Sequence, residues 1–144
     1  MSTQIATRGQ AERALSQQIQ ALYRDQLGHR PGKITCQLFD EKLAIVIEDS
    51  VTQPEQLLAE DGNIELAEQV REDLDSAIRP RLKSLIETVL QVNVLDLLSD
   101  ATLETGRTGM IVVLEEPPPV RPSTSRKAAK KGGQNDPKFS EKEE

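Results

Sequence analysis

Residues 64–90, IELAEQVREDLDSAIRPRLKSLIETVL, decide how this chain is built. Leu66, Val70, Leu74, Ile78, Leu82, Leu85 and Val89 recur at spacings of four or three, which lays one apolar stripe along a helix. A helix of that length runs about 40 Å and must bury its stripe against an equally long surface. Pro80 lies inside it. The missing N–H and the crowding of the Ser76 carbonyl predict a kink near 77–79.

Downstream, strands are expected at 92–99 and 109–115, joined by a loop containing Glu104-Thr105-Gly106-Arg107. Upstream the same order is written once already. Ala11, Leu15, Ile19 and Leu22 share one face of a helix expected over 5–27, and Glu12, Arg13, Gln17, Gln20 and Arg24 mark the other. Gly28 is placed as a left-handed cap, and Pro31-Gly32 stops the helix from resuming. Strands at 34–39 and 43–48 follow across the polar gap Asp40-Glu41-Lys42. Thr52 with Glu55 three residues later forms a capping-box pattern, opening a short helix over 53–59 that Asp61-Gly62-Asn63 ends. The fold expected is α+β, in the order α-β-β-α-α-β-β, with a four-stranded antiparallel sheet and the two long helices on one face.

Leu43-Ala44-Ile45-Val46-Ile47 and Met110-Ile111-Val112-Val113-Leu114 are apolar on both alternating faces. Such strands are usually covered on both sides, and two helices cover only one. Ala44, Val46, Ile111 and Val113 are therefore the expected homodimer interface.

Composition sorts the function classes. Over 1–116 there are 11 Lys and Arg against 20 Asp and Glu; over 117–144 the counts are 7 and 4. An acidic core repels phosphate backbones, so no nucleic-acid partner is expected. Tyr23, Phe39 and Phe139 are the only aromatics, too few for base-stacking platforms. From Pro117 onward, Pro117-Pro118-Pro119 and Gly132-Gly133 punctuate a polar, Lys-rich stretch without a core pattern. The expected domain is thus 1–116, with 117–144 a disordered tail. Its Arg126, Lys127, Lys130 and Lys131 offer weak contact with a membrane surface or an acidic partner. No signal peptide is read at the N-terminus and no run approaches the ~18 apolar residues of a membrane span. The expected location is cytoplasmic, with membrane association only through partners.

The chemical motifs are weak. Gly106-Arg107-Thr108-Gly109 has the spacing of the KH-type loop that clamps nucleic acid, but it lies between strands and beside Asp100 and Glu104. Glycines in a hairpin turn are the simpler reading. Gly28-His29-Arg30-Pro31-Gly32-Lys33 runs from a helix into a strand, the reverse of a phosphate loop, and lacks its Ser or Thr. The acidic groups Asp40-Glu41, Glu48-Asp49, Glu60-Asp61 and Glu72-Asp73 with Asp75 lack the pattern of a calcium loop and read as solvated edges. Arg79, Arg81 and Lys83 form the only basic cluster of the core, a candidate contact for an anion or a partner. With one His and one Cys, no nucleophile, base and orienter assemble. No enzyme, cofactor or metal is expected.

Read together, Arg30-Pro31, Val51-Thr52, Pro54-Glu55, Leu57-Leu58-Ala59, Val70-Arg71, Arg79-Pro80, Leu85-Ile86-Glu87, Val94-Leu95, Asp100 and Thr105-Gly106 resemble the MpsC-type domain over about 10–116. Arg79-Pro80 inside the second long helix is the most specific element of that likeness. The family is labelled as a component of a Na+-translocating, membrane-potential-generating system. The chain departs from it at Thr52-Gln53-Pro54-Glu55, where Thr-Pro-Ala-Glu is usual, at Gln91-Val92, where a small residue is usual, and in the loop around Leu103-Glu104. The resemblance implies a non-enzymatic accessory or regulatory subunit beside Na+-linked or bicarbonate uptake, partnered by membrane transporter subunits. The alternative is a small KH-like nucleic-acid-binding domain.

Overall fold

Among the described residues, 6–121 of a computed structural model, seven elements form: α1 (Arg8–Leu27), β1 (Ile34–Phe39), β2 (Lys42–Ile47), α2 (Gln53–Glu60), α3 (Ile64–Leu90), β3 (Val94–Thr102) and β4 (Arg107–Leu114). All sheet pairings are antiparallel, in the spatial order β1-β2-β4-β3. The two hairpins therefore meet through their second strands. The α+β architecture and its element order are those expected from the sequence.

The sheet alternates as its period requires. Cys36, Leu38, Leu43, Ile45, Ile47, Leu97, Met110, Val112 and Leu114 point at the helices, where they meet Leu15, Ile19, Ile78, Leu82 and Ile86 in one aliphatic core. The two edge strands of this sheet are β1 and β3, whose outward N–H and C=O groups invite pairing with other chains. Helix side chains close both. On β1, Glu12 accepts from the Leu38 N–H at 2.8 Å and Ser16 donates to the Ile34 carbonyl, while Gln20 donates to the Pro31 carbonyl in the loop that leads into the strand. On β3, Glu87 accepts from the Val94 N–H and Arg79 donates to the Leu97 carbonyl at 2.7 Å. Residues that read as a solvated helix face in α1 thus finish the sheet.

Several boundaries move. The first helix starts at Arg8 rather than 5, because Thr7 caps it: Thr7 Oγ1 accepts from the Gln10 N–H, and Gln10 Oε1 accepts from the Thr7 N–H. The β1–β2 turn is a two-residue one, Asp40-Glu41, with Asp40 at φ 56°. β3 begins two residues late and carries a bulge between Val94 and Asp96, which pushes Leu95 into solvent. Helix α3 is assigned unbroken through Pro80.

The larger correction is in the first half of α3. Its buried residues are Ala67, Arg71, Ile78, Leu82, Ile86 and Leu90, while Leu66 is 51% exposed. The helix presents an arginine to the interior where the apolar series predicted Val70 and Leu74. Beyond Leu114 the chain turns back: Val120 packs on the core, and Arg121 bridges to the start of α1 through its N–H to the Ala6 carbonyl. The described structure therefore continues past the expected boundary at Glu116; the rest of the expected tail, with Arg126 to Lys131, lies outside the described residues.

Candidate functional site: a buried ion network beside an acidic cleft

Arg71 is held by the segment that leads into α2. Ser50 is fixed first: its N–H donates to the Gly106 carbonyl, and its hydroxyl shares a 2.7 Å hydrogen bond with Thr108. This aims the Ser50 carbonyl at α3, where it accepts from Arg71 Nη1 at 2.9 Å. Two residues on, Thr52 caps α2, and its N–H and hydroxyl both donate to Glu55 Oε1, at 2.8 and 2.7 Å. The capping box predicted from sequence is real, and it is buried: Glu55 is 0% exposed.

The other Glu55 oxygen lies 3.1 Å from Arg71 Nε, and Asp75 Oδ1 lies 3.6 Å from the same nitrogen. The first contact is close but poorly aligned, so Arg71 Nε and Glu55 Oε2 attract as an ion pair without a hydrogen bond; Arg71 Nη2 has no acceptor either. Two carboxylates face one guanidinium that is 4% exposed. Tyr23, from α1, brings its hydroxyl to the same place without a hydrogen-bond partner. Burial, then the charge of Asp75, push its phenol up to about 12, with Arg71 opposing. Burial also raises the Asp75 carboxyl, against the pull of Arg71 and with the repulsion of Glu55 and Asp100.

Outside this network a cleft of about 950 Å³ opens between the first four turns of α3, the end of α2 and the end of β3 with its loop into β4. Arg71, Asp75 and Arg79 lie along its wall.

The residues singled out from sequence distribute as follows. Ala44, Val46, Ile111 and Val113 do share one face, the one without helices, with Ala44 directly across from Ile111. Val46 and Ile111 are 40% and 39% exposed, and Phe39 and Leu98 extend the patch, two residues the sequence reading did not include. Arg79, Arg81 and Lys83 do not act together: Arg79 is half-buried on the β3 edge, whereas Arg81 and Lys83 are exposed. Gly106 is a turn residue at φ 73°, and Arg107 to Gly109 belong to β4, with Arg107 Nε 2.7 Å from Glu48; no pair of helices flanks them as in a KH clamp. His29 is a half-buried loop residue bonded to the Asp49 carbonyl. Cys36 is buried, and burial raises its thiol, opposite to the shift of a nucleophile. Among the described residues, no group of three or more His, Cys, Asp or Glu is placed to hold a metal ion.

The inward-facing pair of Arg71 and Asp75 is what sequence reasoning missed, with Asp75 read as part of a solvated acidic edge. Glu55 was legible through its capping box, and the i,i+4 spacing of Arg71 and Asp75 was a weak sign of their pairing. Nothing in the pattern said that the pair would face inward.

Among curated proteins and among solved structures nothing matches the chain. A family model does, over residues 7–116, and its description reads Na+-translocating membrane potential-generating system (MpsC). That span takes in every helix and strand described above and the whole ion network, so the chain belongs to the MpsC family.

Proposed function

We propose that this protein is a non-enzymatic accessory or regulatory subunit of a Na+-translocating or bicarbonate-uptake membrane system, working at the cytoplasmic side. The family match over 7–116 carries the reading. The chemistry of the domain agrees with it. Its buried polar groups staple α2 to α3, and the lone thiol is shielded. No helix among the described residues is long and apolar enough to cross a membrane, and in this reading the protein is held at the membrane by partner subunits.

The exposed sheet face suits a second copy of the chain. A two-fold axis along the strands, between β2 and β4, lays Ala44 of one copy over Ile111 of the other, and Val46 over Gly109, where a Cβ added to the glycine would meet nothing within 4 Å in its own chain. Sedimentation equilibrium checks this: the wild type is expected as a dimer and the Val46→Glu, Val113→Glu variant as a folded monomer. A monomeric wild type at micromolar concentration removes the homodimer.

The accessory role is tested by cross-linking the tagged full chain in native membranes and identifying its neighbours by mass spectrometry. Integral subunits of a cation or bicarbonate transporter are the expected neighbours. Recovery with nucleic acid, in a complex dissolved by moderate salt, favours the KH-like alternative instead.

A further inference from the structure

The walls of the cleft carry Glu65, Glu68, Glu72, Asp75, Asp100 and Glu104. Two guanidinium groups oppose them, and both are engaged: Arg71 with Glu55 and Asp75, Arg79 with the Leu97 carbonyl. Carboxylates therefore dominate the opening, and a concave wall concentrates their field. The mouth also has apolar footing, in Ile64, which is 48% exposed, with Ala59 and Leu103 beside it.

An independent feature lies at the inner wall. Arg71 lines the cleft, is almost wholly buried, and its Nη2 lacks an acceptor. A buried donor left unmade is costly, and because Nη2 is closed to the cleft in this structure, a carbonyl oxygen of an occupant satisfies it only when the Arg71 side chain shifts. Beside it, burial and the charges of Glu55 and Asp100 disfavour the ionised Asp75, a penalty that a cationic side chain in the cleft relieves.

We infer that the cleft is a docking groove for a Lys/Arg-rich segment of a membrane partner, with main-chain carbonyls toward Arg71 and basic side chains against the acidic walls. The inference rests on the accessory-subunit reading, since loops that flank membrane spans on the cytoplasmic side are rich in Lys and Arg. Charge complementarity selects this occupant: the same walls repel acidic peptides, nucleic acid and anionic lipid. The stretch of α3 from Ile64 to Arg79 is about 24 Å long, which an extended segment of roughly seven residues spans.

The probe is a fluorescein-labelled synthetic peptide of alternating Lys and Leu, added to the full chain and read by anisotropy. Glu65→Gln, Glu68→Gln, Glu72→Gln, all exposed positions, is expected to weaken binding about tenfold or more. A variant with the same loss of charge elsewhere, Asp25→Asn, Glu115→Gln, Glu116→Gln, is expected to stay within about twofold of wild type. Equal weakening by both variants overturns the groove, as does equal affinity for a peptide with Glu in place of Lys. Tighter binding after Lys127→Gln, Lys130→Gln, Lys131→Gln assigns the cleft to the chain's own tail and also overturns it. Cross-links to transporter subunits that persist in the Glu65, Glu68, Glu72 variant refute the groove and leave the accessory role standing; their absence in wild type refutes the accessory role itself.

Discussion

Replacing Arg71 by Met removes the positive charge that faces the buried carboxylate of Glu55. Glu55 cannot swing out to water, because Oε1 holds two hydrogen bonds from Thr52 that define the start of α2. Its charge is thus left buried and uncompensated, at a cost of about 3–5 kcal/mol. Against a total stability of about 5–15 kcal/mol, that is a large fraction but leaves the fold measurable. Glu55→Leu alone strands a guanidinium instead. Arg71 then keeps Asp75 and the Ser50 carbonyl, while the Thr52 donors lose their acceptor, and the cost is about 2–4 kcal/mol. The double variant removes both charges and fills the space with apolar atoms, so its cost falls well below the sum of the two. A coupling of about 2–3 kcal/mol is expected. Urea titration followed by far-ultraviolet circular dichroism measures each corner of the cycle, with equal slopes confirming comparable transitions. Losses that add to within about 0.5 kcal/mol refute the reasoning, since Arg71 and Glu55 then act independently.

Asp75 gives a signed pH dependence. Its folded carboxyl titrates above the ordinary value of 3.8, so ionisation opposes folding, and the penalty is complete above the folded pKa and absent below 3.8. Asp75→Asn is therefore expected to raise stability at neutral pH, with the gain fading as urea titrations are repeated toward pH 3.8. Tyr23 is the only tyrosine and the chain has no tryptophan, so near-ultraviolet absorbance reads it alone. Phenolate is expected only near pH 12 in the folded protein but near 10 in urea, and stability is expected to fall as pH rises between those values. Gln91 ends α3 at φ 57°, a left-handed conformation that favours glycine. Gln91→Gly should raise stability by about 0.5–1 kcal/mol, seen as a melting point higher by a few degrees.

The elements legible in the sequence were those set by local pattern. The period of residues 64–90 fixed both ends of α3, and the apolar runs within 43–48 and 109–115 located the central strands to within two residues. Local chemistry also found the Thr52–Glu55 box. What escaped the reading depends on tertiary partners. Arg71 faces inward because Ser50, itself held by Gly106 and Thr108 from the far hairpin, offers it a carbonyl; no window of α3 contains that information. Glu12 looked solvated because the edge of β1 that it closes, at Leu38, lies 26 residues away in sequence. The bulge at Leu95 arises from pairing with β4, and hydropathy does not record it.

The claim that the domain serves a membrane system is met most directly by membrane potential in a strain lacking this gene, read with a voltage-sensitive dye in Na+ and in K+ medium. The full chain is expected to restore a Na+-dependent component of the potential, and the Glu65→Gln, Glu68→Gln, Glu72→Gln variant to restore less of it at equal abundance. A Na+-dependent potential that is the same with and without the gene contradicts the account.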